Sequence, residues 1–282
     1  MEWITRLNQA VSYIEEHLAE EIDYGELAKI ACCSTYHFQR MFAYLADAPL
    51  GEYIRRRRMS LAAAELLDGG AKIIDVALKY GYSSPTAFNR AFQSAHGIAP
   101  SLAKEGGVPL KSFPPISFNI TIKGAAEMNY RIEKKPAFWV VGVSMPLEQE
   151  IERNFQVVPA MWQRLASDGT IPRLAGLMDG EPKGMLGISA CNDREEWRYF
   201  VAVASSAPAG DFEKYQVGAF TWAIFSGQGT GQSIQELEKR IVAEWLPTSG
   251  YEYANGPDIE VYLNPDPRDA QYEVWIPIVK KA

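Results

Sequence analysis

The sequence predicts two domains, an all-α domain followed by an α+β domain that is built around an antiparallel sheet. Its 282 residues are enough for two hydrophobic cores, since single cores usually stop growing near this size. Through residue 104, apolar residues recur at the helical spacings of three and four, as in Trp3, Leu7, Val11, Ile14 and Leu18. Beyond residue 114 the pattern changes to the period of two that is typical of strands, in Ile116, Phe118, Ile120 and Ile122. We therefore expect residues 1–105 to form the first domain, 106–114 a linker and 115–282 the second domain.

The net charge of -7 is unevenly distributed along the chain. Residues 1–28 hold one basic and seven acidic side chains, residues 29–104 ten basic and five acidic, and residues 105–282 seventeen basic and twenty-three acidic. A basic block between two acidic blocks favours a polyanionic partner for the middle segment. The three cysteines show neither a disulfide framework nor zinc-ligand spacing, and the N-terminal residues lack the pattern of an export signal. We expect a cytoplasmic protein that binds no membrane, metal or cofactor.

The helical part contains an internal repeat. The segments STYHFQRMF (34–42) and SSPTAFNRAF (83–92) superimpose at an offset of 50, which aligns a serine, two phenylalanines and an arginine with their counterparts. Each copy follows a short helical segment and a tight turn, and Ser34 or Ser84 can cap the helix that begins there. A helix, a turn and a capped second helix make a helix-turn-helix motif, and this domain contains two.

The second helix of each motif carries side chains that can read DNA bases. In the first copy Phe38 and Phe42 are expected to point inward, which leaves outward Thr35, Tyr36, Gln39 and Arg40. In the second copy Phe88 and Phe92 point inward, which leaves outward Pro85, Thr86, Asn89 and Arg90. Glutamine can bond adenine and arginine can bond guanine through two hydrogen bonds each, while asparagine suits a base or a phosphate. The alternative is a helical bundle whose exposed side chains are only solvated.

Residues 8–104 resemble the DNA-binding domain of AraC/XylS-type transcription regulators, through LAKIACCSTYHFQRMF, GEYIRRRRMSLAAAELL, DVALKYGYSSPTAFNRAF and HGIAPSLAK in this order. The resemblance implies a bacterial regulator with two recognition helices in successive major grooves of an operator, about one helical turn (roughly 34 Å) apart. Carried over by motif position, the implied base or phosphate contacts are Tyr36, Gln39, Arg40, Thr86, Asn89 and Arg90. The family pattern is broken by Cys32, where the turn often has glycine, and by Pro85, at the first exposed position of the second recognition helix. RNA polymerase is an optional further partner.

Four consecutive arginines, Arg55 to Arg58, lie in the segment that joins the two motifs. At about 100° per residue they spread around most of a helix, so they cannot all face one phosphate backbone. We expect one or two of them, Arg55 included, to contact phosphate, and the others to brace the domain. The apolar pattern of this helix places Arg57 near the buried side, where its guanidinium needs a carboxylate or carbonyl partner.

The second domain is also duplicated, with a strand, a helix and two strands in each copy. In its last two strands, alternation places Glu260 with Tyr262 on one face and Glu273 with Trp275 on one face. If the two strands pair as their closeness in the sequence suggests, two carboxylates and two aromatic rings share a surface. Such a cluster needs water, an internal cation or a cationic ligand, and each aromatic face attracts a large cation by about 0.5–2 kcal/mol. The alternative is an exposed sheet face on which Glu260 pairs with a nearby lysine or arginine.

Residues 128–282 resemble the gyrase-inhibitor-like (GyrI-like) effector-binding domain, most strongly through FEKYQVGAFTWAIFSGQG, SIQELEKRIVAEWLPTSGYEYANGPDIEVYLN and YEVWIPI. The resemblance implies that Glu260 anchors a small cationic or amphipathic aromatic ligand, with Glu273 as a weaker second acid. The candidate aromatic walls of the site are Phe155, Trp162, Tyr199, Trp222, Tyr262 and Trp275. Some relatives of this fold are hydrolases, in which Glu260 or Glu273 would be a general base with a pKa raised by burial. The expected function is therefore a ligand-binding transcription regulator, and the alternative is a hydrolase fused to a DNA-binding domain.

Overall fold

The structure, a computed structural model, describes residues 2–119, 127–148, 151–191, 196–264 and 268–281. The chain divides into two compact units, Met1–Asn119 and Ile120–Ala282. The boundary lies five residues beyond residue 115, where the sequence pattern predicts the start of the second domain. Within the described ranges, no helix is both long and apolar enough to cross a membrane.

The first unit is built from helices in its described part. They are α1 (Glu2–Glu16), α2 (Tyr24–Ile30), α3 (Thr35–Ala46), α4 (Leu50–Leu67), α5 (Ile73–Lys79), α6 (Pro85–His96) and α7 (Pro100–Glu105). The two helix-turn-helix motifs are α2 with α3 and α5 with α6. The predicted serine caps are confirmed, because Ser34 Oγ accepts from the His37 amide at 3.2 Å and Ser84 Oγ accepts from the Ala87 amide at 3.4 Å. The four phenylalanines that the pattern places inward are all fully buried: Phe38, Phe42, Phe88 and Phe92.

The turns of the two motifs use the same backbone conformation with different residues. Cys32 follows α2 with φ of 53°, and Gly81 follows α5 with φ of 84°. Each amide closes its turn by donating to a carbonyl three residues earlier, Lys29 or Leu78, at 3.1 Å. Cys32 therefore occupies a left-handed position that favours glycine, which accounts for the glycine that the resemblance to AraC/XylS-type regulators leads us to expect in this turn.

Replacing Cys32 with glycine should stabilise the protein. A side chain in the left-handed conformation costs roughly 1–2 kcal/mol, and part of the gain is offset by the greater freedom of glycine in the unfolded chain. We expect Cys32→Gly to raise the free energy of unfolding by about 0.5–1 kcal/mol in urea denaturation of the full chain. Cys33→Gly is the matched control, because Cys33 has no positive φ and should lose stability. Equal shifts in the two variants would contradict this account.

The connecting helix α4 confirms the expectation for Arg57. The Arg57 side chain is 10% exposed and binds the Glu15 carboxylate of α1, with Nη2 to Oε2 at 2.6 Å and Nε to Oε1 at 2.8 Å. Arg57 Nη1 also donates to the carbonyl of Phe113, and Tyr53 Oη donates to Glu15 Oε1 at 2.6 Å. Arg58 donates to the carbonyls of Leu18 and Glu20. Two of the four arginines therefore hold α4 to neighbouring segments.

Residues 106–119, which follow α7, belong to the first unit and pack against its helices. Asn8 of α1 binds the backbone of Phe118 on both sides, accepting from its amide at 2.7 Å and donating to its carbonyl at 3.0 Å. The Phe118 ring is buried and meets Phe42 edge to face at 5.7 Å. The strand predicted from Ile116 is therefore wrong for residues 116–119. Side chains of the helical unit, and not a neighbouring strand, form the hydrogen bonds of this backbone. The rest of that alternating pattern, residues 120–126, lies outside the described residues.

The second unit combines one large sheet with helices. In the described residues the strands are β1 (Tyr130–Lys135), β2 (Phe138–Pro146), β3 (Met185–Cys191), β4 (Trp197–Ala204), β5 (Glu213–Val217), β6 (Phe220–Gly229), β7 (Tyr251–Tyr253), β8 (Asp258–Tyr262) and β9 (Ala270–Lys280). The helices are α8 (Ile151–Ser167), α9 (Thr170–Ala175), α10 (Gly231–Arg240) and α11 (Leu246–Thr248), with a π-helical turn at Ile241–Trp245. This architecture is the predicted α+β fold.

The sheet is antiparallel and has the order β1-β6-β9-β8-β3-β4-β2-β5, with β7 paired to β9. The order relates the two sequence copies by a pseudo-twofold axis between β3 and β8, where Ile188 lies opposite Ile259. The first predicted strand of each copy is broken into two strands, which pair in opposite halves of the sheet. β1 joins β6 of the second copy, and β5 joins β2 of the first. Each copy therefore completes the other, and the two fold as one unit.

The two faces of this sheet differ in what covers them. The Glu260 face carries Glu260, Tyr262, Tyr199 and Val201, and α8 packs against it through Met161 and Leu165. The Glu273 face carries Glu273 and an apolar core that consists largely of Leu186, Ile188, Trp222, Ile224, Ile259, Val261 and Trp275. The sheet therefore presents two chemically different surfaces.

Candidate DNA interface and candidate ligand site

Helix α6 presents the predicted recognition side chains to solvent. Thr86, Asn89 and Arg90 are all exposed, while Phe88 and Phe92 on the opposite side are fully buried. Pro85 is the first residue of the helix, where a missing amide hydrogen costs no helical bond. The orientation of this helix is therefore the one that the sequence predicts.

Helix α3 departs from the prediction at one position. Gln39 is only 7% exposed, so its expected outward orientation is wrong. On a helix, residue 39 lies about 60° around the axis from residue 42, and the buried sector of α3 is wide enough to include it. Thr35, Tyr36 and Arg40 are half-buried. Arg40 is held along its own helix, with Nε donating to Tyr44 Oη at 3.2 Å and its guanidinium carbon 5.7 Å from the Tyr44 ring centroid.

The remaining two arginines of α4 are available at the surface. The side chains of Arg55 and Arg56 are 54% and 45% exposed, and both pair with Glu52 one turn earlier. The Arg56 guanidinium also lies over the ring of Phe113, at 5.4 Å from its centroid. Such exposed pairs are weak, so either arginine could exchange Glu52 for a phosphate group.

In the second unit, three of the predicted aromatic wall residues come together around Glu260. The carboxylate oxygen Oε2 accepts from Tyr262 Oη at 2.8 Å and from Tyr199 Oη at 3.2 Å. Trp162 of α8 donates from Nε1 to Tyr199 Oη at 3.0 Å, and its ring meets Tyr262 edge to face at 5.1 Å. One carboxylate and three aromatic side chains therefore form a connected site, called the Glu260 site below.

Gly187 makes room for this arrangement. It lies directly opposite Glu260 on the neighbouring strand β3. A Cβ atom at this position would lie 2.2 Å from Tyr199 Oη and 2.9 Å from Glu260 Oε2, which is too close for either atom. The absence of a side chain at Gly187 therefore allows the phenol and the carboxylate to meet above the sheet.

Burial raises the pKa of Tyr262 well above its usual value, and the negative charge of Glu260 adds to the effect. A smaller contribution comes from Glu238 of α10, which is 5% exposed. Tyr262 therefore stays protonated as a hydrogen-bond donor at neutral pH. Glu238 is a second carboxylate near the site that the sequence analysis missed. Its signal is its position four residues after Ile234 and three before Ile241, where the helical pattern calls for an apolar residue.

Glu273 and two predicted aromatic walls lie on the other side of the sheet. In the β8–β9 register, Glu260 faces Val274 and Tyr262 faces Tyr272, while Val261 faces Glu273. Directly paired residues point the same way, so the prediction that the two carboxylates share a surface is wrong. Trp275 and Trp222 also belong to the Glu273 face, with ring centroids 5.7 Å apart. Phe155 is 42% exposed on α8, two turns before Trp162.

One unit offers an exposed recognition helix to DNA, and the other holds a carboxylate among aromatic rings. A regulator that reads DNA with one domain and binds a small molecule with the other is the class of protein that this combination defines. Two family models match the chain. A model described as a GyrI-like small molecule binding domain matches residues 128–279, and a helix-turn-helix domain model matches residues 27–105. The chain belongs to the GyrI-like family, with an AraC-type helix-turn-helix domain in its N-terminal part.

Similar proteins cover either the whole chain or one unit. The right origin-binding protein of Escherichia coli (strain K12) is 27% identical over 94% of this chain and 95% of its own length. The HTH-type transcriptional activator AarP of Providencia stuartii is 38% identical over 34% of this chain and 71% of its own length. Among solved structures, SAV2435 bound to tetraphenylphosphonium covers 54% of this chain and 94% of its own, with 19% identity and a TM-score of 0.48.

Proposed function

We propose that this DNA-binding regulator binds a small, cationic, aromatic or amphipathic molecule at the Glu260 site. The observation that carries the proposal is the convergence of Glu260, Tyr199, Tyr262 and Trp162 above one face of the sheet. Both phenols are neutral donors, so they orient the carboxylate without cancelling its charge. The aromatic rings offer apolar surface and negative π faces to a weakly hydrated cation.

Binding, rather than hydrolysis, is the role that this geometry favours for Glu260. A general base must accept a proton from water, whereas Oε2 of Glu260 already accepts hydrogen bonds from two phenols. The high pKa of Tyr262 has the same implication, because a phenol that keeps its proton cannot serve as a base at neutral pH.

Tetraphenylphosphonium is a suitable probe, since it combines a permanent delocalised charge with four aromatic rings. Calorimetric titration of the full chain with this probe should show saturable binding. The control is a neutral tetraphenylmethane of similar size that carries a polyether chain for solubility. It should bind at least tenfold more weakly, because it lacks the positive charge. Mass spectrometry of the same mixture should show the probe unchanged. Conversion of a candidate ligand to product would instead support the hydrolase alternative.

For the DNA-binding unit we propose base or phosphate contacts by Thr86, Asn89 and Arg90 of α6, and by Thr35, Tyr36 and Arg40 of α3. Arg55 on α4 is proposed as a phosphate contact because its side chain is exposed and its pairing with Glu52 is easily exchanged. Burial makes Gln39 a poorer candidate for a base contact than the exposed residues of α6. RNA polymerase remains a proposed partner at the promoter.

Removing Arg90 should weaken operator binding. An arginine that contacts guanine contributes about 1–3 kcal/mol, so Arg90→Ala should lower affinity for the selected site by about 5- to 150-fold. The operator is first selected from genomic fragments with the full chain, and affinity is then measured by fluorescence anisotropy at fixed salt. Lys280→Ala, which removes an exposed charge from the second unit, is the matched control and should leave affinity unchanged. Equal affinity of both variants would refute the assignment of α6 as a reading helix.

Footprinting with and without the probe tests whether the two activities are coupled. A ligand shifts a conformational equilibrium only if it binds the two states with different affinities. A change in operator affinity at saturating tetraphenylphosphonium would therefore demonstrate coupling, and an unchanged footprint would limit the proposal to independent binding.

A further inference from the structure

A cavity lies on the Glu273 face, on the opposite side of the sheet from the Glu260 site. Its volume is about 280 Å³, just below the range of about 300–1,000 Å³ that is usual for small-molecule pockets. Trp275 and Val261 of the sheet line it, together with Phe138 at the start of β2. Its charged lining residues are Arg131, Lys135, Lys183, Glu181 and Glu273. Three cations against two carboxylates give the lining a net charge of +1.

The partly buried carboxylate of Glu273 in this cavity is already neutralised. Arg131 binds Glu273 through two parallel bonds, Nη1 to Oε1 at 2.8 Å and Nη2 to Oε2 at 3.1 Å. Trp275 Nε1 donates to Oε2 at 2.8 Å. A bidentate guanidinium and an indole therefore occupy both oxygens, which removes Glu273 as an anchor for a cationic ligand.

The two lysines that line the cavity form fewer ion pairs than Arg131 does. Lys135 pairs with Glu133 at 2.5 Å, and its ammonium lies 5.7 Å from the centroid of the Trp275 ring. The ammonium of Lys183 makes no ion pair within the described part of the chain, and only its backbone amide binds Glu181, at 3.1 Å. A free ammonium at the edge of an apolar cavity is complementary to an anionic group on an otherwise apolar ligand.

We propose that this cavity is a second ligand site, which takes a small planar aromatic carboxylate. The ring of the ligand packs against Phe138 and Trp275, above the buried Val261, and its carboxylate faces Lys183, with Lys135 as the second cation. This site prefers an anionic ligand, whereas the Glu260 site prefers a cationic one. The reason is that Arg131 already neutralises Glu273, the carboxylate on this face. The two sites use alternate residues of the same strands, since Val261 lies next to Glu260 but points to the other face.

The experiment uses the full chain and naphthalene-2-carboxylate as the probe, with the isosteric naphthalene-2-carboxamide as the uncharged comparison. Calorimetric titration should show that the carboxylate binds at least five times more tightly than the carboxamide. Lys183→Gln should reduce carboxylate affinity by about fivefold and leave carboxamide affinity unchanged, as expected for an ion pair at a partly exposed position. Lys183 is exposed, so this variant should fold normally.

Two further variants locate the binding site. Val261→Phe fills the cavity and should abolish binding of both probes, whereas Glu260→Gln should leave binding of both unchanged. The proposal is overturned if neither probe binds, if the carboxamide binds as tightly as the carboxylate, or if Lys183→Gln has no effect. It is equally overturned if Glu260→Gln alone removes carboxylate binding, because the ligand would then occupy the Glu260 site. None of these outcomes depends on whether tetraphenylphosphonium binds.

Discussion

Glu260→Gln should abolish detectable binding of tetraphenylphosphonium, with a loss of affinity of about thirtyfold or more. Glutamine keeps the size and shape of the side chain but removes the negative charge that the cation would face. Removing one partner of a partly buried charge pair typically costs about 2–5 kcal/mol, which corresponds to this loss. Calorimetric titration of the full chain measures the effect directly.

Glu273→Gln is the matched control for this measurement. It makes the same chemical change on the neighbouring strand β9 but on the other face of the sheet, where Arg131 already neutralises the carboxylate. Affinity for the cation should therefore stay within about twofold of the parent protein. If Glu273→Gln lost binding while Glu260→Gln kept it, the cation would have to be placed on the Glu273 face and the proposed site would be wrong.

Arg57→Ala should destabilise the first unit by about 3 kcal/mol or more. The substitution leaves the Glu15 carboxylate, whose side chain is 20% exposed, without its cation and removes a bond to the Phe113 carbonyl. Breaking a buried ion pair from one side typically costs about 3–5 kcal/mol, because the remaining charge is uncompensated. Hydrogen exchange of the α1 and α4 amides in the full chain measures the loss of protection.

Arg56→Ala provides the comparison, since it is the adjacent residue and removes the same charge. The Arg56–Glu52 pair is exposed and lies within one helix, so its loss should cost less than about 1 kcal/mol. Similar loss of protection in the two variants would mean that the network around Glu15 does not stabilise the unit. A preserved strand structure of the second unit in both variants would show that the effect is local.

Local features of the first unit could be predicted from the sequence because they depend on residues close together along the chain. The serine caps of α3 and α6 and the buried phenylalanines follow from helical spacing alone. The need of Arg57 for a carboxylate or carbonyl partner also follows from its position on the buried side of α4. The identity of that partner, Glu15, does not, because it lies 42 residues away on another helix.

The candidate ligand site shows where prediction from the sequence ends. Alternation correctly places Glu260 with Tyr262, and Glu273 with Trp275, on common faces of their own strands. Which of these faces coincide depends on the register between β8 and β9, and a shift of one residue reverses the result. The register of a hairpin depends on the type and length of its turn, which the alternating pattern does not reveal. The sequence analysis missed Glu238 because this residue lies on α10, and only the tertiary fold brings that helix close to Tyr262.

The pseudo-twofold axis between β3 and β8 has a consequence for ligand stoichiometry. With Ile188 opposite Ile259 at the axis, the position related to Glu260 in the first copy is Ser189, which carries no charge. The duplicated scaffold thus repeats its strands but not its anchoring carboxylate. A cation that approaches the centre of the sheet therefore meets one anchoring carboxylate where a symmetric fold would present two, and we expect one cation to bind per chain.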